Sequence, residues 1–390
     1  MNGKVLAGIV VVALAAAAAA GYYYFATPKA VVLGDIKQYV FVQSTTKPEI
    51  AVIDVTKDEL VTRLQLSLVP DDLLVAKEPK RVIYSNRASK TVHIYDIATQ
   101  ADEAVLTLPF SPDTLALSPD SLFLVATDST TGQLGIINLD NNTIARVLEQ
   151  TFTRPSAVAF SADSMQVHLT DSVKGQIVTV DLLSGYVLDP IQMSLALDPA
   201  QTPKGDEMSA LTRTPNSLFG LVTQKAEGHV SVVNMRQWAE EYRLQVGKGA
   251  SRAYVTADGV YMMVGNDLDR TVTVLSTEPW EVVATLPGVG GVTSISTGFF
   301  EQLAFIVSNT ENKVAVIDLE KMETVAFLDL PGGPAEGIAD VDGKKLYVPL
   351  HDSGGLAVID IYNKTVHKII ENVTDAPWGV AMAATNNYCH

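Results

Sequence analysis

One stretch of this chain recurs eight times, and that recurrence leaves few folds open. YVFVQSTTKPEIAVIDV begins at Tyr39, RVIYSNRASKTVHIYDI at Arg81, LFLVATDSTTGQLGIINL at Leu122 and QVHLTDSVKGQIVTVDL at Gln166. LFGLVTQKAEGHVSVVNM follows at Leu218, VYMMVGNDLDRTVTVLST at Val260, LAFIVSNTENKVAVIDL at Leu303 and KLYVPLHDSGGLAVIDI at Lys345. The starts are 42, 41, 44, 52, 42, 43 and 42 residues apart, so the array is regular save for one insertion of about ten residues between Pro190 and Asn216. Each copy reads as two β-branched runs joined by a polar turn, then a short turn, a third strand, a Pro/Gly-containing corner and a fourth strand such as SAVAFSADS. Four strands per ~42 residues is the arithmetic of a propeller blade, whereas helical solenoids of similar period need apolar residues at i, i+3 and i+4.

The ends of the array predict how the ring closes. No fourth-type strand precedes Tyr39, while a surplus one, APWGVAMAA, follows the last copy. An unpaired sheet edge invites association with other chains, and pairing Trp378–Ala383 in the blade begun by Tyr39 removes it. The expected architecture is all-β: an eight-bladed β-propeller of 32 strands over residues 39–385, closed by the C-terminal strand and trailed by a tail at 386–390.

LYVPLHDSGGLAVIDI, FIVSNTENKVAVIDL and the corner PWGVAMA resemble the YVTN-type β-propeller repeat family, whose units run P-x-G-V-A, L-Y-V-T-N, V-x-V-I-D. The resemblance covers nearly all of residues 39–385 and implies the propeller fold. It implies no single activity, because the family includes surface-layer-like proteins, export-side proteins of unassigned role and relatives of the haem d1 and amine-dehydrogenase propellers. An eight-bladed ring is similar to the haem d1 propellers, yet the chain has no CxxCH haem attachment site and no stretch matching a haem d1 axial-ligand motif. It also lacks the Trp-docking repeats of quinoprotein alcohol dehydrogenases, with Trp238, Trp280 and Trp378 as its three tryptophans.

Ahead of the array, Val5 to Ala26 runs 22 residues without a charge after Lys4, enough for a helix to cross about 30 Å of hydrocarbon. A cleaved signal peptide and a retained signal anchor both fit; the length of the run favours the anchor. Residues 1–28 are therefore expected to form an N-terminal transmembrane helix, 29–38 a linker, and the propeller to sit on the extracytoplasmic side of the cell membrane. The formal charge is −16, with 28 basic against 44 acidic residues, which argues against a nucleic-acid partner because phosphate binding needs a positive field. A lone Cys389 rules out an intrachain disulfide and a cysteine-rich metal cluster.

Registering the repeats nominates one rim of the ring as the place for a ligand. Arg87, Asp128, Asp171, Asp267, Asn309 and Asp352 follow the first strand of their copies, and Asp113, Arg154, Glu207, Arg252, Glu336 and Trp378 stand at the corner before the next. His351 lies in the loop beside Asp352. The candidate ligand-binding set is Arg87, Arg154, Asp171, Arg252, Asp267, Glu336, His351, Asp352 and Trp378. Asn and Asp are also ordinary turn formers, so the argument is stronger for Arg154, Arg252 and Trp378, which are not, and Arg suits carboxylates and phosphates. His93, His168 and His367 read as strand residues, with His168 the one nearer a possible ligating role; His390 is terminal. Asp54, Asp96, Asp181, Asp318 and Asp360 recur at one place in the repeat and read as turn caps. No G-x-S-x-G, P-loop or H-E-x-x-H occurs. No catalytic residue, metal or cofactor is expected.

These readings point to a membrane-anchored extracytoplasmic propeller that binds a protein partner or a small polar ligand at its rim. The insertion Ile191–Pro215 and the anchor would suit a subunit of an envelope complex. The competing expectation is a redox or cofactor-carrying propeller related to haem d1-type proteins, with His351 or His168 as ligand.

Overall fold

The computed structural model describes residues 32–77, 80–149, 152–156, 158–193 and 208–383. The 32 strands of these residues form eight sheets of four, all pairings antiparallel. Seven sheets use consecutive strands. The eighth, blade 1, runs from Pro377–Ala381 through Tyr39–Ser44 and Glu49–Asp54 to Glu59–Gln65, so the last strand of the chain supplies the innermost strand of the first blade. Phe41 faces Ala381 and Val42 faces Val380 across that seam. The ring is thus an eight-bladed propeller closed as expected.

Burial follows strand order within a blade. The two middle strands are apolar on both faces, because each blade is packed between two neighbours: Glu49–Asp54, Leu303–Ser308 and Gly355–Asp360 are buried almost throughout. The outermost strands alternate, as Glu59–Gln65 and Ala101–Thr107 do, since only one face meets a neighbour. The apolar clusters accordingly straddle blade boundaries. Val40, Val42, Ala51 and Ile53 of blade 1 pack with Tyr347, Leu356, Val358 and Ile370 of blade 8, closing the core around the ring.

Turn chemistry repeats with the blades. Asp54, Asp96, Asp181, Asp318 and Asp360 each accept backbone N–H bonds from the turn that follows, for example from Thr56 at 2.8 Å, Thr99 at 2.6 Å and Ser184 at 2.8 Å. The fourth residue after each of these Asp residues takes a left-handed conformation: Asp58, Gln100, Gly185, Met322 and Lys364. These recurrent carboxylates are turn caps.

Blade 4 departs from its siblings. Its outermost strand is two residues, Ile191–Gln192, and the innermost strand of blade 5 is Thr212–Arg213. Most of the insertion between them, with Glu207, lies outside the described residues, as do the expected anchor, the first three residues of the linker and the C-terminal tail. Among the described residues no helix is long and apolar enough to cross a membrane.

Candidate functional site

Strand pairing corrects the register of the rim. The strand after each innermost one ends at Ser44, Asn86, Asp128, Asp171, Gln224, Asn266, Ser308 and Leu350. The residues that emerge next are Thr45, Arg87, Ser129, Ser172, Lys225, Asp267, Asn309 and His351. Asp128 and Asp171 therefore sit one place deeper than Arg87 and Asp267, with which the repeat alignment had grouped them. Their depth assigns them to the fold. Asp128 accepts N–H bonds from Ser111, Thr130 and Thr131, and fully buried Asp171 accepts them from Thr153 at 2.8 Å and Lys174 at 3.3 Å. Arg87 is exposed on the rim itself, its backbone N–H donating to Asp71 at 2.6 Å.

Three candidates meet at the seam. His351, in the turn of blade 8, stands edge-on to Trp378 of the closing strand, with ring centroids 5.8 Å apart at 85°. Its Nδ1 lies 3.0 Å from Asp352 Oδ1. Asp352 and Trp378 are exposed. The other candidates gather around the central channel. Arg154, Arg252 and Asp267 line a cavity of about 770 Å³ at its mouth. Arg252 also lines a deeper cavity of about 500 Å³ together with Glu336, Arg213 and Asp72. One guanidinium thus borders both chambers.

A bulge puts it there. In the innermost strand of blade 6, Ala250 pairs with Asn266 but Ala253 with Val264, so Ser251 and Arg252 share the place opposite Gly265. Glu336 follows the Pro334 bridge in blade 8, and Asp72 opens the innermost strand of blade 2. All three hold corresponding places at the inner edge of their blades. The Arg252 and Glu336 side chains are open to channel water while the ring encloses them on every side.

Electrostatics tie the group together. Enclosure raises the Glu336 pKa and the Arg252 charge opposes that rise. Enclosure lowers the Arg252 pKa and Glu336 opposes it in turn. Burial pushes Asp72 up to about 6, although its carboxylate accepts N–H bonds from Leu115 at 2.6 Å and Leu73 at 2.8 Å; the charges of Glu336 and Asp113 push the same way. At the mouth, Asp267 accepts the Val292 N–H at 3.0 Å and lies 3.6 Å from Lys225 Nζ. Arg252 Nε points at Thr212 Oγ1 at 3.5 Å.

Sequence reasoning missed Asp72, Arg213 and Lys225, and with them a run of hydroxyls along the mouth that includes Ser209, Thr223 and Ser251. Lys225 follows the same strand as Arg87 and was recoverable from the register. The histidines considered as ligands have structural neighbours. His168 is buried, 2.8 Å from Thr179 Oγ1, and burial together with the charge of Arg213 lowers it to about 4. His93 stacks on Tyr84 at 4.5 Å and bridges Thr91 at 2.9 Å and Asp102 at 3.0 Å. Among the described residues no three His, Cys, Asp or Glu side chains are grouped as a metal ion would need.

No family model matches the sequence, and no curated protein matches it either. Solved structures do. Dihydro-haem d1 dehydrogenase NirN in complex with DHE is similar with a TM-score of 0.74 at 14% identity, over 90% of this chain and 76% of that one. A functionally unknown protein from Desulfotomaculum acetoxidans is similar with a TM-score of 0.59 at 12% identity, over 89% and 99%. Kuenenia stuttgartiensis hydrazine synthase is similar with a TM-score of 0.54 at 14% identity, over 73% and 94%. At such identities the likeness is one of fold, and the fold is an all-β propeller of eight blades.

Proposed function

We propose that the protein is a binding propeller, tethered to the membrane through its first 28 residues and displayed on the extracytoplasmic side, that receives a small polar ligand in the mouth of its channel. The observation that carries this reading is the 770 Å³ cavity on which Arg154, Lys225 and Arg252 converge in a chain of net charge −16. Ligand pockets are concave, largely preformed and furnished with a few convergent polar groups, and a cavity of this volume lies in the range that holds a small molecule. Surface charge of one sign with a local concentration of the other inside a cleft focuses the field on the cleft. The seam cluster of His351, Asp352 and Trp378 is a second polar surface on the rim, where a protein partner would dock.

The test is purification of the full-length chain in mild detergent, followed by native mass spectrometry and an absorption spectrum. The expected result is membrane-fraction localisation, a colourless protein and an added small-molecule mass that is lost on mutation of Arg252. A visible chromophore in stoichiometric amount would replace this reading by the cofactor-carrying one. Recovery in the soluble fraction would remove the tether.

A further inference from the structure

We infer that the mouth cavity is a site for a small oxyanion, a carboxylate or a phosphate group, received by the Arg252 guanidinium and by the Ser251 and Thr223 hydroxyls. This rests on the reading of the mouth as a ligand site and names the chemistry of the ligand.

Three independent observations point to it. The first is a pair of hydroxyls with nothing to bond. Thr223 is 1% exposed, yet its Oγ1 has no hydrogen-bond partner, and the buried Ser251 Oγ has none. Both residues line the cavity. Buried polar groups are nearly always satisfied, so two orphans on one wall mark a place where a bond is made to something else. A hydroxyl can donate to an oxyanion, and a guanidinium has only donors to offer.

The second is a place in blade 5 where the turn cap is replaced by an unsatisfied amide; blade 8 also lacks the cap, with Leu350 there, and Asn266 of blade 6 accepts the Gly247 N–H instead, but neither leaves an orphaned polar side chain. Asn86, Asp128 and Asp171 cap the hairpin after their strand by accepting turn N–H groups. Gln224, next to Thr223, holds the same place in blade 5, but its amide is one methylene further out and both its polar atoms are buried without partner. A local rule broken without an evident structural gain is expected at functional positions.

The third is the sign and position of the charges. Arg252 stands on a bulge at the inner edge of blade 6, where the corresponding places carry Thr114, Ala210 and Ser294 in blades 3, 5 and 7 and the acids Asp72 and Glu336 in blades 2 and 8. No carboxylate among the described residues lies within 4 Å of it. Asp267, the acid of the mouth, already faces Lys225 and the Val292 N–H.

Isothermal titration of the full-length protein in detergent with sodium phosphate and, separately, sodium succinate tests this, with glucose as a neutral control and spermidine as a cationic one. Saturable binding of phosphate or succinate, weakened at least tenfold in Arg252→Gln at unchanged melting temperature, is the expected result. The anion that binds more tightly identifies the source as phosphoryl or carboxylate. Thr223→Val supplies a readout that a purely structural role would not move: deleting an orphaned hydroxyl keeps or raises the melting temperature of the unliganded protein while anion affinity falls. Absence of saturable binding by both anions, or binding undiminished in Arg252→Gln, overturns the inference. A neutral or cationic ligand recovered from the mouth by native mass spectrometry overturns it as well, while leaving the binding function in place.

Discussion

Asp58 and Lys345, 287 residues apart, close the ring electrostatically: Lys345 Nζ lies 2.8 and 2.7 Å from the two carboxylate oxygens of Asp58. The first belongs to a turn of blade 1 and is 5% exposed; the second opens a strand of blade 8. Tyr347 donates its hydroxyl to the same carboxylate at 2.9 Å, and burial, then the Asp58 charge, raises its pKa. Lys368 donates to the Asp58 carbonyl at 2.9 Å. The seam is therefore held twice, by the closing strand on the channel side and by this cluster between blades.

Asp58→Asn leaves the Lys345 ammonium largely enclosed without its counter-charge, and breaking one side of a buried pair costs about 3 kcal/mol. Chemical denaturation should show that loss, with Lys345→Met in the same background recovering most of it because an apolar side chain of similar length needs no partner. A double variant as unstable as the single one would show that the pair contributes through geometry and not charge.

Truncation after Thr374 removes the strand Pro377–Ala381 and opens the edge of Tyr39–Ser44. Besides the ladder, it deletes the acceptors that hold the first hairpin, since Ser44 Oγ donates to the Asp375 carbonyl at 2.6 Å and Thr45 to that of Ala376 at 2.9 Å. An open edge pairs with other copies. Light scattering should report oligomers and a lower melting temperature than for the full chain; a truncated monomer of unchanged stability would mean that closure is not what holds the ring.

The period, the number of blades and the closing strand were legible because they rest on recurring, continuously apolar and β-branched runs such as KVAVID and GLAVID, each flanked by turn residues. The caps were legible for the same reason, each Asp falling at a fixed distance from its strand. The channel was not. Innermost strands are short, down to Ala159–Phe160 and Ile338–Ala339, and several carry a bulge, so alternation in them is too brief to fix a register. Asp72, which shares a cavity with Arg252 and Glu336, was not picked out in blade 2, and a one-residue slip joined Asp171 to rim residues, beneath which it lies buried. Orphaned hydroxyls leave no trace in composition, since Thr223 and Thr170 look alike until one is seen to bond the Ser209 carbonyl and the other nothing.

The hairpin turns next to the channel end in left-handed residues, Gly132, Gly175, Gly228 and Gly354 in some blades and Lys90, Arg270 and Asn312 in others. Gly132, at φ 73°, has no room for a side chain, because a Cβ would overlap the Phe152 carbonyl oxygen. Gly132→Ala should cost about 2 kcal/mol or more, combining the left-handed penalty with displacement of that backbone. Lys90→Gly, at φ 60°, relieves the penalty and loses chain entropy, leaving stability within about 0.5 kcal/mol of wild type. Equal melting temperatures for Gly132→Ala and wild type would show that the Phe152 segment gives way without cost.

Stability between pH 4 and 6.5 should reflect two buried groups acting in opposite senses. His168 is held neutral, at about 4 against 6.5 unfolded, mainly by burial and then by Arg213, so its contribution is complete above pH 6.5 and is lost as the pH falls toward 4. Asp72 is held protonated, at about 6 against 3.8, mainly by burial, so its contribution is complete below pH 3.8 and is lost as the pH rises through 6. In the shared window the unfolded chain gains a proton at one site and has lost one at the other, and the two slopes offset. Each variant alone unmasks its partner. Asp72→Asn should steepen the acid loss of stability, and His168→Gln should remove it, each by up to about 1.4 kcal/mol per pH unit. Denaturation curves at half-unit steps measure both slopes; parallel wild-type and His168→Gln profiles across the window would mean that His168 protonates in the native state without opening the fold.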